Sequence, residues 1–124
     1  MNGNEIPARQ AWGEPMTYDD GGVACTEDAL VIRRYYFPFG DKRIPYTKIE
    51  QVQRRTMARL TGQWRIWGSG DFRHWYNLDS GRPRKTVQFV IHTSGGRMLP
   101  VITPDDPDRV QSELTAHGVR VTTA

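Results

Sequence analysis

The passage from Met98 to Gly118 constrains the fold of this chain more than any other. Met98-Leu99-Pro100-Val101-Ile102 ends a series of short, apolar-rich stretches that read as strands. Thr103-Pro104-Asp105-Asp106-Pro107-Asp108 follows at once and is written as a helix start. Asp106 is placed to accept a free backbone amide, Pro107 has its torsion preset for the first helical position, and Asp105 and Asp108 suit the positive end of the dipole. Val110 and Leu114, four residues apart, form an apolar stripe with Ala116, and Gly118 after His117 suits a left-handed stop. A helix of about three turns is marginal alone. It needs a β body to lie against, so the order predicts a small barrel or sandwich with a helix packed on it.

The strands are read from alternation and from the residues that interrupt it. Val23-Ala24-Cys25 and Leu30 to Phe37 form two strands joined by a turn at Thr26-Glu27-Asp28. In the second, Leu30, Ile32, Arg34 and Tyr36 are expected on one face and Val31, Arg33, Tyr35 and Phe37 on the other. Lys42 to Tyr46 is a short third strand broken by Pro45. Tyr46 to Val52 fits either a helical turn or a strand, and Arg54 to Leu60 fits neither plainly. Gln63 to Trp67 alternates and stops at Gly68-Ser69-Gly70. Trp75 to Leu78 reads as a further strand before a loop at Asp79 to Pro83. Lys85 to Thr93 places Val87, Phe89 and Ile91 on one face, and Ser94-Gly95-Gly96 turns the chain back antiparallel through Arg97 to Ile102.

Residues 1–21 are rich in Gly, Pro, Asn and Asp without a period, and are expected to form a flexible acidic tail. The body is expected over 22–119, with a short tail at 120–124. A chain of 124 residues is one domain by length. No stretch is apolar enough to span a bilayer, Met1 to Gln10 lacks the apolar run of a secretory signal, and Cys25 has no partner for a disulfide. A cytoplasmic location is the expectation.

Charge is segregated along the chain. Residues 1–28 hold six acids against Arg9, net −5; residues 29–97 hold fourteen bases against four acids, net +10; residues 98–124 hold two bases against four acids, net −2. A basic middle between acidic ends bears on partners more than on fold.

Four stretches carry a resemblance: Leu30 to Gly40 (LVIRRYYFPFG), Arg43-Ile44-Pro45-Tyr46 with Ile49, Arg65-Ile66-Trp67-Gly68, and Ile102 to Pro107 (ITPDDP). Over roughly residues 22–119 the chain resembles the bacterial pleckstrin-homology-like domains. The resemblance implies a partly open barrel of two antiparallel sheets, capped by a C-terminal α-helix. It also implies a non-catalytic binding or scaffolding module and not an enzyme. Eukaryotic members that bind phosphoinositides carry a basic motif in the loop between their first two strands, whereas here that loop is Thr26-Glu27-Asp28, short and acidic.

The candidate ligand-binding set is the basic group Lys42, Arg43, Lys48, Arg54, Arg55, Arg59, Arg65 and Arg73, which could grip carboxylate or phosphate, or meet an anionic membrane surface. Set against this is a plain solvated face, and Arg54, Arg55 and Arg59 would share one patch only on a helix. Trp64-Arg65-Ile66-Trp67 and Arg73-His74-Trp75-Tyr76 interleave aromatics with bases as a single-strand nucleic-acid platform would, but such alternation also describes a core, and nucleic acid is not the expected partner. Gly68-Ser69-Gly70-Asp71 lacks the Lys-Ser or Lys-Thr pair of a phosphate loop. Cys25, His74, His92 and His117 are too scattered for a structural zinc site, and Asp71 with His74 has no nucleophile motif beside it. No catalytic residue, metal or cofactor is therefore expected, and Cys25 reads as a packed thiol. The expected function is recognition of a protein segment, or self-association. The alternative is a peripheral module for anionic lipid or another acidic ligand, at the inner face of the membrane.

Overall fold

The computed structural model describes residues 16–36, 40–56, 68, 73–77, 79 and 81–123. The expected strand at Gln63 to Trp67, the connection at 69–70, and residues Arg59, Arg65 and Asp71 lie outside them. The architecture is mainly β, with two sheets and one helix near the C-terminus. Strands β1 (Met16–Asp19), β2 (Val23–Thr26), β3 (Ala29–Tyr36) and β4 (Gly40–Pro45) form an antiparallel meander. A 3-10 turn at Tyr46–Lys48 carries the chain to β5 (Ile49–Thr56). The second sheet adds β6 (His74–Tyr76), β7 (Val87–Thr93), β8 (Leu99–Ile102) and β9 (Val121–Thr123), in the order β6-β8-β7-β5-β9. Among the described residues no strand is shared between the sheets, so the layers remain open.

Two features extend the sequence expectation. Strand pairing begins at Met16, within the stretch expected as tail, and continues to Val121–Thr123 beyond residue 119. The second sheet is mixed: β5–β9 and β6–β8 are parallel, and both pairs lie at its margins. Tyr46 to Val52, which fitted a helical turn or a strand, is one followed by the other.

The helix α1 (Pro107–Ala116) forms as its sequence dictates. Asp106 accepts the Arg109 amide at 3.1 Å, and Pro107 occupies the first turn. At the other end Gly118 has φ +83°, the left-handed region that glycine enters without a Cβ clash. The Gly118 amide reaches the Thr115 carbonyl and the Val119 amide the Leu114 carbonyl, both at 3.0 Å, so the last carbonyls are satisfied. Val110, Leu114 and Val119 then enter a core built from both sheets: Val23, Cys25, Leu30 and Ile32 from the first, Val52, Phe89, Ile91 and Ile102 from the second. A smaller cluster of Tyr76, Val90, Leu99 and Val101 forms separately on the second sheet. Val90 and Val101 are register partners, on the opposite face of β7 from Phe89 and Ile91.

Strand β3 does not alternate throughout as its sequence predicts. Between the pairs Ile32↔Lys42 and Tyr36↔Gly40 it advances four residues against two on β4, a bulge in which Arg34 has φ +52°. Past the bulge Tyr35 joins Leu30 and Ile32 in the core, and Tyr36 emerges 51 % exposed. Three of the displaced backbone groups are taken up by side chains. Asp41 accepts the Arg34 amide at 3.1 Å, Asn77 Nδ2 donates to the Arg33 carbonyl at 3.0 Å, and Trp75 Nε1 donates to the Tyr35 carbonyl at 2.9 Å. A bulge would cost stability if its carbonyls were left dry. Here it becomes the seam between the first sheet and β6.

Candidate functional site

Two polar constellations stand out, one buried and one at a sheet edge. The buried one centres on Arg82, which is 0 % exposed. Its Nε donates to Thr103 Oγ1 at 3.1 Å, Nη1 to the Asn77 carbonyl at 2.9 Å and Nη2 to Asn77 Oδ1 at 2.7 Å, while its guanidinium lies 5.0 Å from the centre of the Tyr76 ring. Asp79 accepts from Lys85 at 2.7 Å and from the Thr103 hydroxyl at 2.8 Å, and Lys85 also meets Asp105 at 2.9 Å. Two bases and two acids balance in charge. Every group cited is turned toward another of the same cluster, so the arrangement joins the β6–β7 connection to the segment entering α1. It is a structural joint.

Burial alone would raise the Asp79 pKa, but the bound Lys85 ammonium and Thr103 hydroxyl, with Arg82 near, hold it below the usual carboxylate range. Lys85 is likewise disfavoured by burial, yet Asp79 and Asp105 raise it above the ordinary lysine value. Arg82 is pulled down to about 10 by burial, against the opposing pull of Asp79 and Tyr76, and remains charged at neutral pH. A carboxylate with a depressed native pKa stabilises the fold above its unfolded value, about 3.9, and loses that contribution as pH falls through the native value. The melting temperature is therefore expected to drop as pH falls below about 4. Asp79→Asn should flatten that drop while lowering stability at pH 7; thermal melts from pH 2 to 7 read both effects. An unchanged acid limb in the variant would remove Asp79 from this role.

The edge constellation is built on β4. Lys42 opposes Ile32 and shares a face with Ile44, whereas Arg43 opposes Val31 on the other face. Lys42 Nζ lies 5.4 Å from the Tyr35 ring centre and 5.9 Å from that of Tyr36, and 3.4 Å from the Tyr36 hydroxyl. The two rings meet edge to face at 5.1 Å, and Trp75 lies 6.1 Å from Tyr35. Gly40 makes room for this packing: a Cβ there would stand 2.8 Å from Tyr36 Cβ and 3.1 Å from Cδ2, so the tyrosine lies close over the strand. Arg33 supports the same corner through Asp19 at 2.7 Å and Asp41 at 3.6 Å.

The other basic positions do not collect on one face of the described structure. Arg54 and Arg55 are neighbours on a strand and point to opposite sides. Arg54 turns to the helix, bonding Asp108 at 2.9 Å and Gln111 at 2.6 Å. Arg55 opposes Gln88 and has its Nε buried without a hydrogen bond. Lys48 is exposed at the end of the 3-10 turn, and exposed Arg73 precedes β6.

Cys25 is 0 % exposed, and burial pushes its thiol up to about 12, which makes it the packed side chain its context indicates. His74 lies on β6, His92 on β7, and His117 after α1, where it stacks on Tyr46 at 4.3 Å. No described helix is long and apolar enough to cross a membrane.

Sequence reasoning missed the buried constellation and, of the edge one, named Lys42 and Arg43 without the tyrosines beside them. Arg82 lay in a stretch read as loop, and nothing local marks a loop arginine as buried. Tyr36 was placed by simple alternation, although Gly40, four residues on, was a signal that something lies across that strand. No known family model matches this chain, and comparison with curated proteins finds no match.

Proposed function

We propose that this domain is a non-catalytic binding module of the pleckstrin-homology-like kind that takes up an extended protein segment along β4. One observation carries the reading. Among the described residues β4 has a single hydrogen-bonded neighbour, β3, and at six residues it is the longest of the four strands at sheet margins. An edge strand presents a row of backbone donors and acceptors that another chain can complete, with specificity drawn from alternate side chains. The other margins are less suited. β1 has four residues and a bulge, β6 and β9 have three each, and β6 already bridges to Gly68. Tyr36, half exposed at the end of β3 and paired with the first residue of β4, adds the kind of rigid aromatic contact that anchors interfaces.

The test is selection of peptides of about twelve residues, twice a typical strand, from a random display library on the full chain. Hydrogen exchange then reads which backbone amides the selected peptides protect. Slowed exchange in β4 supports the reading. Failure to select any peptide, or protection confined to other elements, overturns it. Capture of phosphatidylserine vesicles at low salt but not at high salt, without peptide binding, would instead favour the anionic-lipid alternative, whose bases in the described structure include Lys42, Arg43 and Lys48.

A further inference from the structure

We infer that the segment accepted along β4 is acidic, with a carboxylate side chain at the position opposite Lys42. This deepens the reading just given and rests on it. Lys42 is a cation held in place: two tyrosine rings lie within 5.9 Å of its ammonium, which among the described residues donates to the Tyr36 hydroxyl at 3.4 Å. Rings of this kind fix an ammonium and partly desolvate it without neutralising it. Among the described residues no carboxylate pairs with Lys42. The nearby Asp41 is directed elsewhere, accepting the Arg34 amide and facing the Arg33 guanidinium.

A chain adding to β4 sets a side chain directly across from each β4 residue, and opposite charges across strands attract while like charges repel. A Glu or Asp across from Lys42 would complete the ion pair that the protein leaves open. Ile44, on the same face and two residues on, would lie across from an apolar side chain. Charge also weighs against a second copy of this chain as the occupant. In the antiparallel register that overlaps all six residues, Gly40 faces Pro45, and Lys42 faces the copy's Arg43 twice. A basic edge of this sort is a common protection against self-pairing.

The same display library separates this inference from the reading beneath it. Among peptides that protect β4 amides, acidic residues should be enriched at one fixed position. Lys42→Gln should weaken those peptides roughly tenfold. Lys42→Glu should shift selection to Lys or Arg at that position, and a charge-swapped peptide should regain binding to the Lys42→Glu protein. Lys42 is half-buried and lies outside the hydrophobic core, so both variants are expected to melt within a few degrees of the parent. β4 protection by peptides without acidic enrichment, or equal affinity for the parent and Lys42→Gln proteins, overturns the inference and leaves the module reading standing. Absence of β4 protection by any peptide overturns both. Concentration-dependent dimerisation that itself protects β4 would replace the acidic segment with a second copy.

Discussion

Replacing Arg82 with alanine is expected to lower stability by about 3–5 kcal/mol, the usual consequence of breaking a buried charge network on one side. The loss has two parts. The guanidinium satisfies Asn77 twice and Thr103 once, and its removal leaves those acceptors dry. It also removes a positive charge near Asp79, whose carboxylate would then depend on Lys85 and the Thr103 hydroxyl. Domains hold only about 5–15 kcal/mol in total, so the melting temperature should fall by roughly 10–20 °C. Arg82→Lys keeps the charge but cannot reach three acceptors from one nitrogen centre in the same fork geometry, and should fall between the parent and the alanine variant. Denaturant titration of the three proteins checks this. A cost under about 1 kcal/mol for Arg82→Ala would show that the joint carries little of the stability.

Leu114→Ala is the second large expected effect, about 2–5 kcal/mol. In α1 only Val110 and Leu114 are buried, so this leucine is half of the helix's apolar anchor. The polar contacts on the same helix are expected to matter far less. Arg54 meets Asp108, whose side chain is 86 % exposed, and such pairs contribute about 0–1 kcal/mol. Arg54→Gln should therefore cost under about 1 kcal/mol, and less still as added salt screens the pair. If Arg54→Gln proved as damaging as Leu114→Ala, the helix would be held by charge and not by the core. Circular dichroism with urea titration gives both numbers in one experiment.

What the sequence revealed depended on how local the controlling physics is. The helix was legible to the residue, because Asp106, Pro107 and Gly118 act through hydrogen bonds and torsions within one turn of themselves. The β2–β3 and β7–β8 turns were legible for the same reason; the Thr26 hydroxyl takes the Asp28 and Ala29 amides at 3.1 and 2.9 Å. Period alone put Val87, Phe89 and Ile91 on one face, and that face is turned to the core. The bulge at Arg33 to Tyr35 was not legible, because what makes it affordable is distant: Asn77 and Trp75 lie some 40 residues away along the chain. The two parallel pairings escaped likewise, since the short strands β6 and β9 acquire direction only from the neighbours they meet. Of the basic set, composition named the residue types but not their use: Arg54 is committed to the helix, and Lys42 to a pair of tyrosines.

The joining of β1 to α1 has a consequence for how the molecule is made. Thr17 bonds Glu113, 96 residues later, and Arg109 reaches back to the Thr17 carbonyl. Tyr18 and Asp20 accept the backbone amides of Asp106 and Asp105. A nascent chain emerging from the ribosome thus carries its first described strand long before the clamp for it has been translated. β1 can pair with β2 early, but its docking against the helix must wait for residues 105–113, and a polypeptide truncated within α1 should loosen β1 as well as the helix.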